Sequence, residues 1–207
     1  MKDADHQHID KALWSLLKKG DENAFAELFE AHHRALYNYG LKLLPGSPGT
    51  VEDAIQDLFI DIWRLRGSLT NEISSVRFYL YRSLRRKVCL AAKRNPFLPS
   101  VPIDANTLSI SEKSPESLVI RDESLHIRNA RLREVLDKLP DRQLEAITLK
   151  YLEGFEIAEI ARIMEVNEKS VRNFLYKGLC TLKSHKNWLE LSPEALFGMA
   201  TLLTLYP

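Results

Sequence analysis

Apolar residues recur at helical spacing along most of the chain, and no stretch alternates apolar with polar long enough to argue for a strand. The pattern predicts an all-α protein. A first helix is expected over 8–19, stopped by Gly20. Asp21 then suits the N-cap of a long helix whose inner positions are Phe25, Leu28, Phe29, Leu36, Tyr39, Leu43 and Leu44. Pro45-Gly46-Ser47-Pro48-Gly49 ends that helix. Val51, Ile55, Leu58, Ile62 and Leu65 share one face of a helix expected over 51–66, and a fourth helix is expected over 73–94.

Periodicity then lapses. Pro96, Pro99, Pro102 and Pro115 stand among Ser, Asn and Asp in 95–117, the composition of a linker or a weakly ordered arm. Helical pattern returns over 121–138, 141–152, 156–164 and 168–184. The expected architecture is two small helical domains joined by a Pro-rich linker, the C-terminal one containing a helix-turn-helix. The boundaries read as 1–95, linker 96–120, 121–186, and an apolar tail helix over 187–207.

A chain of 207 residues, 45% hydrophobic, can fill real cores, so global disorder is not expected. The net charge of +1 hides an uneven distribution. No Asp or Glu occurs from Ile73 through Ile103, a stretch carrying Arg77, Arg82, Arg85, Arg86, Lys87, Lys93 and Arg94. The helix before it bears Glu52, Asp53, Asp57 and Asp61. Adjacent surfaces of opposite sign suggest two different partners.

Candidate chemistry is sparse. Cys89 and Cys180 belong to no CxxC or Cys/His cluster, so neither a zinc site nor a disulfide is indicated; both are expected to be half-buried thiols. The carboxylates at 53, 57 and 61 share a helix face, but no His or further acidic cluster completes a coordination shell. No metal, cofactor or catalytic motif is expected, and a nuclease is disfavoured because paired carboxylates and phosphate loops are lacking. The acidic start lacks a basic region leading into an apolar stretch, and nothing reaches the roughly 18 apolar residues of a span. No membrane insertion is expected, and the cytoplasm is the expected location.

Residues 157–174, IAEIARIMEVNEKSVRNF, fit a helix-turn-helix, in which a few buried positions fix the angle between two short helices. Ala161 is the small residue at the crossing. Ile160 and Met164 fill the inside of the first helix, Val166 plugs the turn, and Val171 and Phe174 anchor the second. Asn167 suits its cap. Glu165 is the misfit, at a position that often needs a positive φ. The second helix sorts into an inner stripe of Val171, Leu175, Gly178, Leu179 and Leu182 and an outer stripe of Lys169, Arg172, Asn173, Tyr176, Lys177 and Lys183, with Ser170 beside it. Arg can present a fork to guanine and Asn to adenine, while Lys suits phosphates. A solvated basic face is the plainer reading of the same charges.

The arrangement resembles the extracytoplasmic-function sigma factors of the sigma-70 superfamily. LPDRQLEAITLKYLEGFEIAEIARIMEVNEKSVRNFLYKGLCTLK is similar to the family's minus-35-reading domain. DENAFAELFEAHHRALYNYG followed by VEDAIQDLFIDIWRLR resembles its polymerase-binding domain, and SVRNFLYKGL and YLYRSLRRKVCL resemble the Bacteroidetes type. The resemblance implies that Glu52, Asp53, Gln56, Asp57, Asp61 and Trp63 contact the coiled-coil clamp of the largest RNA polymerase subunit. It implies that the basic helix reads and opens the minus-10 element. There Phe78, Tyr79 and Tyr81 would supply rings, and Arg82, Arg85, Arg86 and Lys87 charge, for unstacked bases, while some of these rings pack in the core; the loop Gly67 to Ile73 would take a flipped base. Arg86 and Ala91 depart from the family pattern, which has Asn and an acidic residue there. In the family the linker threads toward the active-site channel; a plain tether is the alternative.

The tail NWLELSPEALFGMATLLTLYP, uncharged beyond Glu194, has no counterpart in that pattern. It reads as an extra helix on the C-terminal domain or as a regulatory contact, for instance for an anti-sigma factor. The expected function is to direct core polymerase to promoter DNA. The alternative is a sigma-like helix-turn-helix regulator acting without polymerase.

Overall fold

The structure, a computed structural model, describes residues 2–70, 73–94 and 139–184; the expected helix over 121–138, the linker and the tail lie outside these. The chain divides into two compact units, 1–101 and 102–207. Among the described residues all regular structure is helical.

In the first unit α1 spans Lys2–Lys18, α2 Glu22–Leu43, α3 Pro48–Leu65 and α4 Val76–Arg94, with a 3₁₀ turn at Arg66–Ser68. Helix α1 starts six residues earlier than periodicity suggests, because Lys2 to His8 is polar and gives no apolar signal. Gly20 ends the approach to α2 at φ 91°, a value that disfavours side-chain-bearing residues. Asp21 then caps α2, its Oδ1 accepting from the Ala24 N–H at 3.0 Å. Pro48 occupies the first turn of α3, where its fixed φ suits a helix start, so α3 begins three residues before the expected 51. Helix α4 begins at Val76 rather than 73; the Ser75 hydroxyl accepts from the Phe78 N–H at 3.1 Å, marking the true entry.

The core of this unit is built from Trp14, Leu17, Leu28, Leu36, Tyr39, Val51, Ile55, Leu58, Ile62, Leu80, Tyr81, Leu84 and Val88. Each large side chain taken out of water contributes roughly 1.5–3 kcal/mol before entropy is counted. Helices α2 and α3 approach closely at Gly40, where a Cβ would collide with Val51. Leu65, expected on the inner face, is instead 55% exposed, since α3 gives way to the 3₁₀ turn one residue later.

In the second unit α5 spans Asp141–Ile147 and continues into one π turn, Thr148–Leu152, closed by Glu153 N–H donating to Thr148 O at 3.0 Å. Gly154, at φ 69°, turns the chain into α6, Ile157–Met164. The Glu159 carboxylate accepts from the Glu156 N–H at 3.0 Å and satisfies one of the orphan donors at that helix start. Helix α7 spans Glu168–Ser184. It crosses α5 at Gly178, where an added Cβ would sit 2.6 Å from Ile147 Cδ1. Leu144, Ala146, Ile147, Leu149, Ile160, Ile163, Met164, Val171 and Leu182 fill the core. The expectation of two half-buried thiols is corrected: Cys89 is buried, following the inner stripe of α4, and Cys180 is exposed on α7.

Candidate nucleic-acid and polymerase interfaces

The turn between α6 and α7 is fixed by three local devices. Glu165 adopts φ 57°, ψ 46°, the left-handed conformation that the sequence position calls for. The Val166 N–H donates to Ala161 O at 3.0 Å, closing the end of α6. Asn167 then caps α7, its Oδ1 accepting from the Ser170 N–H at 2.7 Å. A fourth device was not apparent in the sequence. Arg142 of α5, buried, donates from Nη1 to Met164 O at 3.3 Å and lies 3.5 Å from the Glu145 carboxylate, itself buried. A cation at the C-terminal carbonyls of α6 is favourable for its dipole, and it ties the turn to the preceding helix.

With the turn so held, α7 presents Lys169, Arg172, Asn173, Tyr176 and Lys177 outward, all exposed, with Ser170 half-buried. Tyr176 is 69% exposed, an unusual degree for a ring that packing does not use. The Arg172 guanidinium is not idle: Nη2 donates to Glu168 Oε2 at 2.7 Å, one turn back. Lys183 lies within α7, but its side chain is outside the described residues.

In the first unit the outward face of α3 carries Glu52, Asp53, Gln56, Asp57 and Asp61, all exposed, together with Ile60. Trp63 flanks this face half-buried. Phe25 lies against it at 5.2 Å between ring centroids, and the Arg66 guanidinium covers it at 4.4 Å while donating to the Trp63 carbonyl at 2.7 Å. With the Arg66 guanidinium over its ring, Trp63 offers a partner only the open part of a half-buried side chain.

Helix α4 divides the expected minus-10 residues in two. Arg82 and Arg86 are exposed; Tyr79 and Lys87 are half-buried. Phe78, Tyr81 and Arg85 turn inward, 8%, 0% and 1% exposed, which corrects their assignment as groups facing DNA. The cause is helical phase: Leu84, Val88, Cys89 and Ala92 define the inner stripe, and positions 78, 81 and 85 fall in it. Lys87 Nζ donates to Asp61 Oδ2 at 2.6 Å, so a residue from each expected surface shares one ion pair. Among the described residues no three His, Cys, Asp or Glu side chains converge as metal ligands, and no helix is long and apolar enough to cross a membrane.

Two family profiles match the chain, sigma-70 region 2 over residues 28–95 and sigma-70 region 4 over residues 129–182. The chain belongs to the sigma-70 family. Among its relatives, the extracytoplasmic-function (ECF) RNA polymerase sigma factor BldN of Streptomyces coelicolor is 30% identical over 167 residues, covering 79% of this chain and 60% of that protein. The ECF RNA polymerase sigma-E factor of Escherichia coli K12 is 28% identical over 182 residues, covering 83% of this chain and 91% of that protein. The chain thus spans about three fifths of the first relative and nearly all of the second. The two matched regions and these relatives place it among the sigma factors of the ECF type. The structure of CnrH in complex with the cytosolic domain of CnrY shares the fold, with a TM-score of 0.57 at 20% identity over 85% of this chain and 96% of that one. The region 4 match contains the helix-turn-helix of α6 and α7, and the region 2 match contains α3 and α4.

Proposed function

We propose that this sigma factor docks on the polymerase clamp through the carboxylate face of α3, with Glu52, Asp53, Gln56, Asp57, Asp61 and Trp63. The minus-35 element is read by Lys169, Ser170, Arg172, Asn173, Tyr176 and Lys177 of α7, extended by Lys183. The minus-10 element is met by Tyr79, Arg82, Arg86 and Lys87 of α4 and by the loop from Gly67 to Ile73, which takes a flipped base. Phe78 and Arg85 support α4 from inside. One observation carries this reading: the outward faces of α3 and α4 have opposite sign within the region 2 match. A polyanion and an anionic helix face cannot share a site, so the two faces serve different partners.

The chain performs no catalysis of its own in this reading and works in the cytoplasm alongside polymerase. The domains run 1–95 and 121–186, with 96–120 as linker and 187–207 as an appended tail helix, and the sequence type is that of the Bacteroidetes sigma factors. CnrH forms a complex with the cytosolic domain of CnrY; a protein partner of that kind, an anti-sigma factor, is proposed here too. Association with core polymerase at low ionic strength, repeated with Asp57→Arg, tests the central assignment. Binding by the wild type and its loss in the variant are expected. A chain that ignores core polymerase would instead be a regulator acting at an operator.

A further inference from the structure

We infer that α1 is a positioning element for minus-10 reading, acting through Trp14 and Gln7 on the segment that joins α3 to α4. The inference rests on the proposed role of that segment in taking a flipped base. The region 2 match begins at residue 28, so α1 lies outside it. Even so, α1 carries contacts that a mere covering helix does not need. Trp14 is 2% exposed, and its indole Nε1–H donates to the Thr70 carbonyl at 3.4 Å. Two turns earlier, Gln7 Nε2 donates to the Ser74 carbonyl at 3.0 Å. The same Trp14 ring meets Tyr79, in the first turn of α4, edge-on at 5.3 Å between centroids with planes at 65°.

One helix therefore contacts the two described ends of the connecting segment, at Thr70 and Ser74, and the first outward ring of α4. The grip has a firm base. Leu17 is fully buried, and His32 Nε2 of α2 lies 3.0 Å from Asp10 Oδ2 of α1, with both side chains nearly buried. A pocket for an extruded base gains affinity and selectivity when its backbone is held before the base arrives, because less ordering remains to be done on binding. Helix α1 supplies that holding through two carbonyls, which are independent of the side chains that touch DNA. Trp14 and Gln7 are positioning residues and touch no base themselves.

The test uses holoenzyme reconstituted from the full chain and core polymerase, on a promoter it transcribes with the minus-10 element randomised. Trp14→Phe keeps a buried ring against Tyr79 and removes the N–H donor together with some packing volume, so its melting temperature is measured alongside; Gln7→Ala deletes the second contact at an exposed site and leaves the core intact. Each should lower open-complex formation, read by permanganate attack on unpaired thymines, by about three- to ten-fold, the range of one lost hydrogen bond. Each should also flatten base preference at one minus-10 position while core affinity and minus-35 preference stay unchanged. If both variants leave the base preference as in the wild type, or if Trp14→Phe acts only by lowering the melting temperature and Gln7→Ala does nothing, α1 is plain scaffold and the inference is overturned. Leu69→Ala, within the segment, separates the two ideas. A changed preference in Leu69→Ala alone keeps the pocket and removes the role of α1, whereas no change in any of the three removes the pocket reading as well.

Discussion

The seat of α7 turns on the absence of a side chain at Gly178, and filling that space gives a worked prediction. A Cβ there would lie 2.6 Å from Ile147 Cδ1 and 3.5 Å from both Ile147 Cγ1 and Gln143 Cβ. Carbon atoms prefer about 3.5–4.0 Å, so Cδ1 has to retreat by about 1 Å or α7 has to lift off α5. Ile147 is only 5% exposed, and the retreat has little room. Overpacking of this sort costs about 1–3 kcal/mol, against which alanine returns about 0.5–1 kcal/mol over glycine inside a helix. Gly178→Ala should therefore destabilise this unit by about 0.5–2 kcal/mol. Ile147→Val, which deletes the offending Cδ1, should alone cost about 0.5–1.5 kcal/mol. Together the two should couple. The double variant is expected to match Ile147→Val or exceed it, a departure from additivity of about 1 kcal/mol or more. Amide hydrogen exchange of α5 and α7 in the full chain reads the local stability directly. Simple additivity of the two costs would refute the close-crossing argument.

Three further outcomes follow from the geometry. Glu165→Gly should raise the stability of the second unit by about 1 kcal/mol in the same exchange experiment, since a left-handed residue with a side chain carries a steric cost of about 1–2 kcal/mol that glycine avoids, less its greater unfolded-state entropy. Glu168→Gln should release the Arg172 guanidinium and tighten minus-35 binding by holoenzyme up to about fivefold at low salt, whereas Arg172→Ala should cost about 1–3 kcal/mol at one base position only; equal losses at every position would place Arg172 on phosphates instead. Asp61→Asn should change the unfolding free energy by less than about 1 kcal/mol, because the Asp61 carboxylate of the Lys87 pair is exposed to solvent, yet weaken association with core polymerase. A stability loss matching the loss of association would remove Asp61 from the interface.

The faces that matter were legible where helical phase was clear. Val51, Ile55, Leu58 and Ile62 set the phase of α3, and the carboxylates then had to face outward. The same holds for α7, where Val171, Leu175 and Leu182 leave Arg172, Asn173 and Tyr176 exposed. Charge misled the reading of α4. Arg85 looked like one more member of a basic run, although its place between Leu84 and Val88 puts it in the buried stripe. Arg142 and Glu145, three residues apart, resemble a solvated surface pair; their burial comes only with the tertiary fold, in which Arg142 also reaches the Met164 carbonyl. Helix α1 was half-seen because Gln7 acts through a hydrogen bond, which leaves no periodic trace. The loosened turn after Ile147 was invisible for the same reason, since hydrogen-bond offset is not a property of composition.

That turn has a consequence for the lineage of this chain. A π turn holds one residue more than the α turn it replaces, and a helix advances about 100° for every residue. A variant lacking one residue between Thr148 and Leu152 could relax into ordinary helix with its backbone satisfied, and would then send everything after it off in a direction rotated by roughly that angle. The direction taken by α6 and α7 is thus set upstream, by the number of residues held in a single turn.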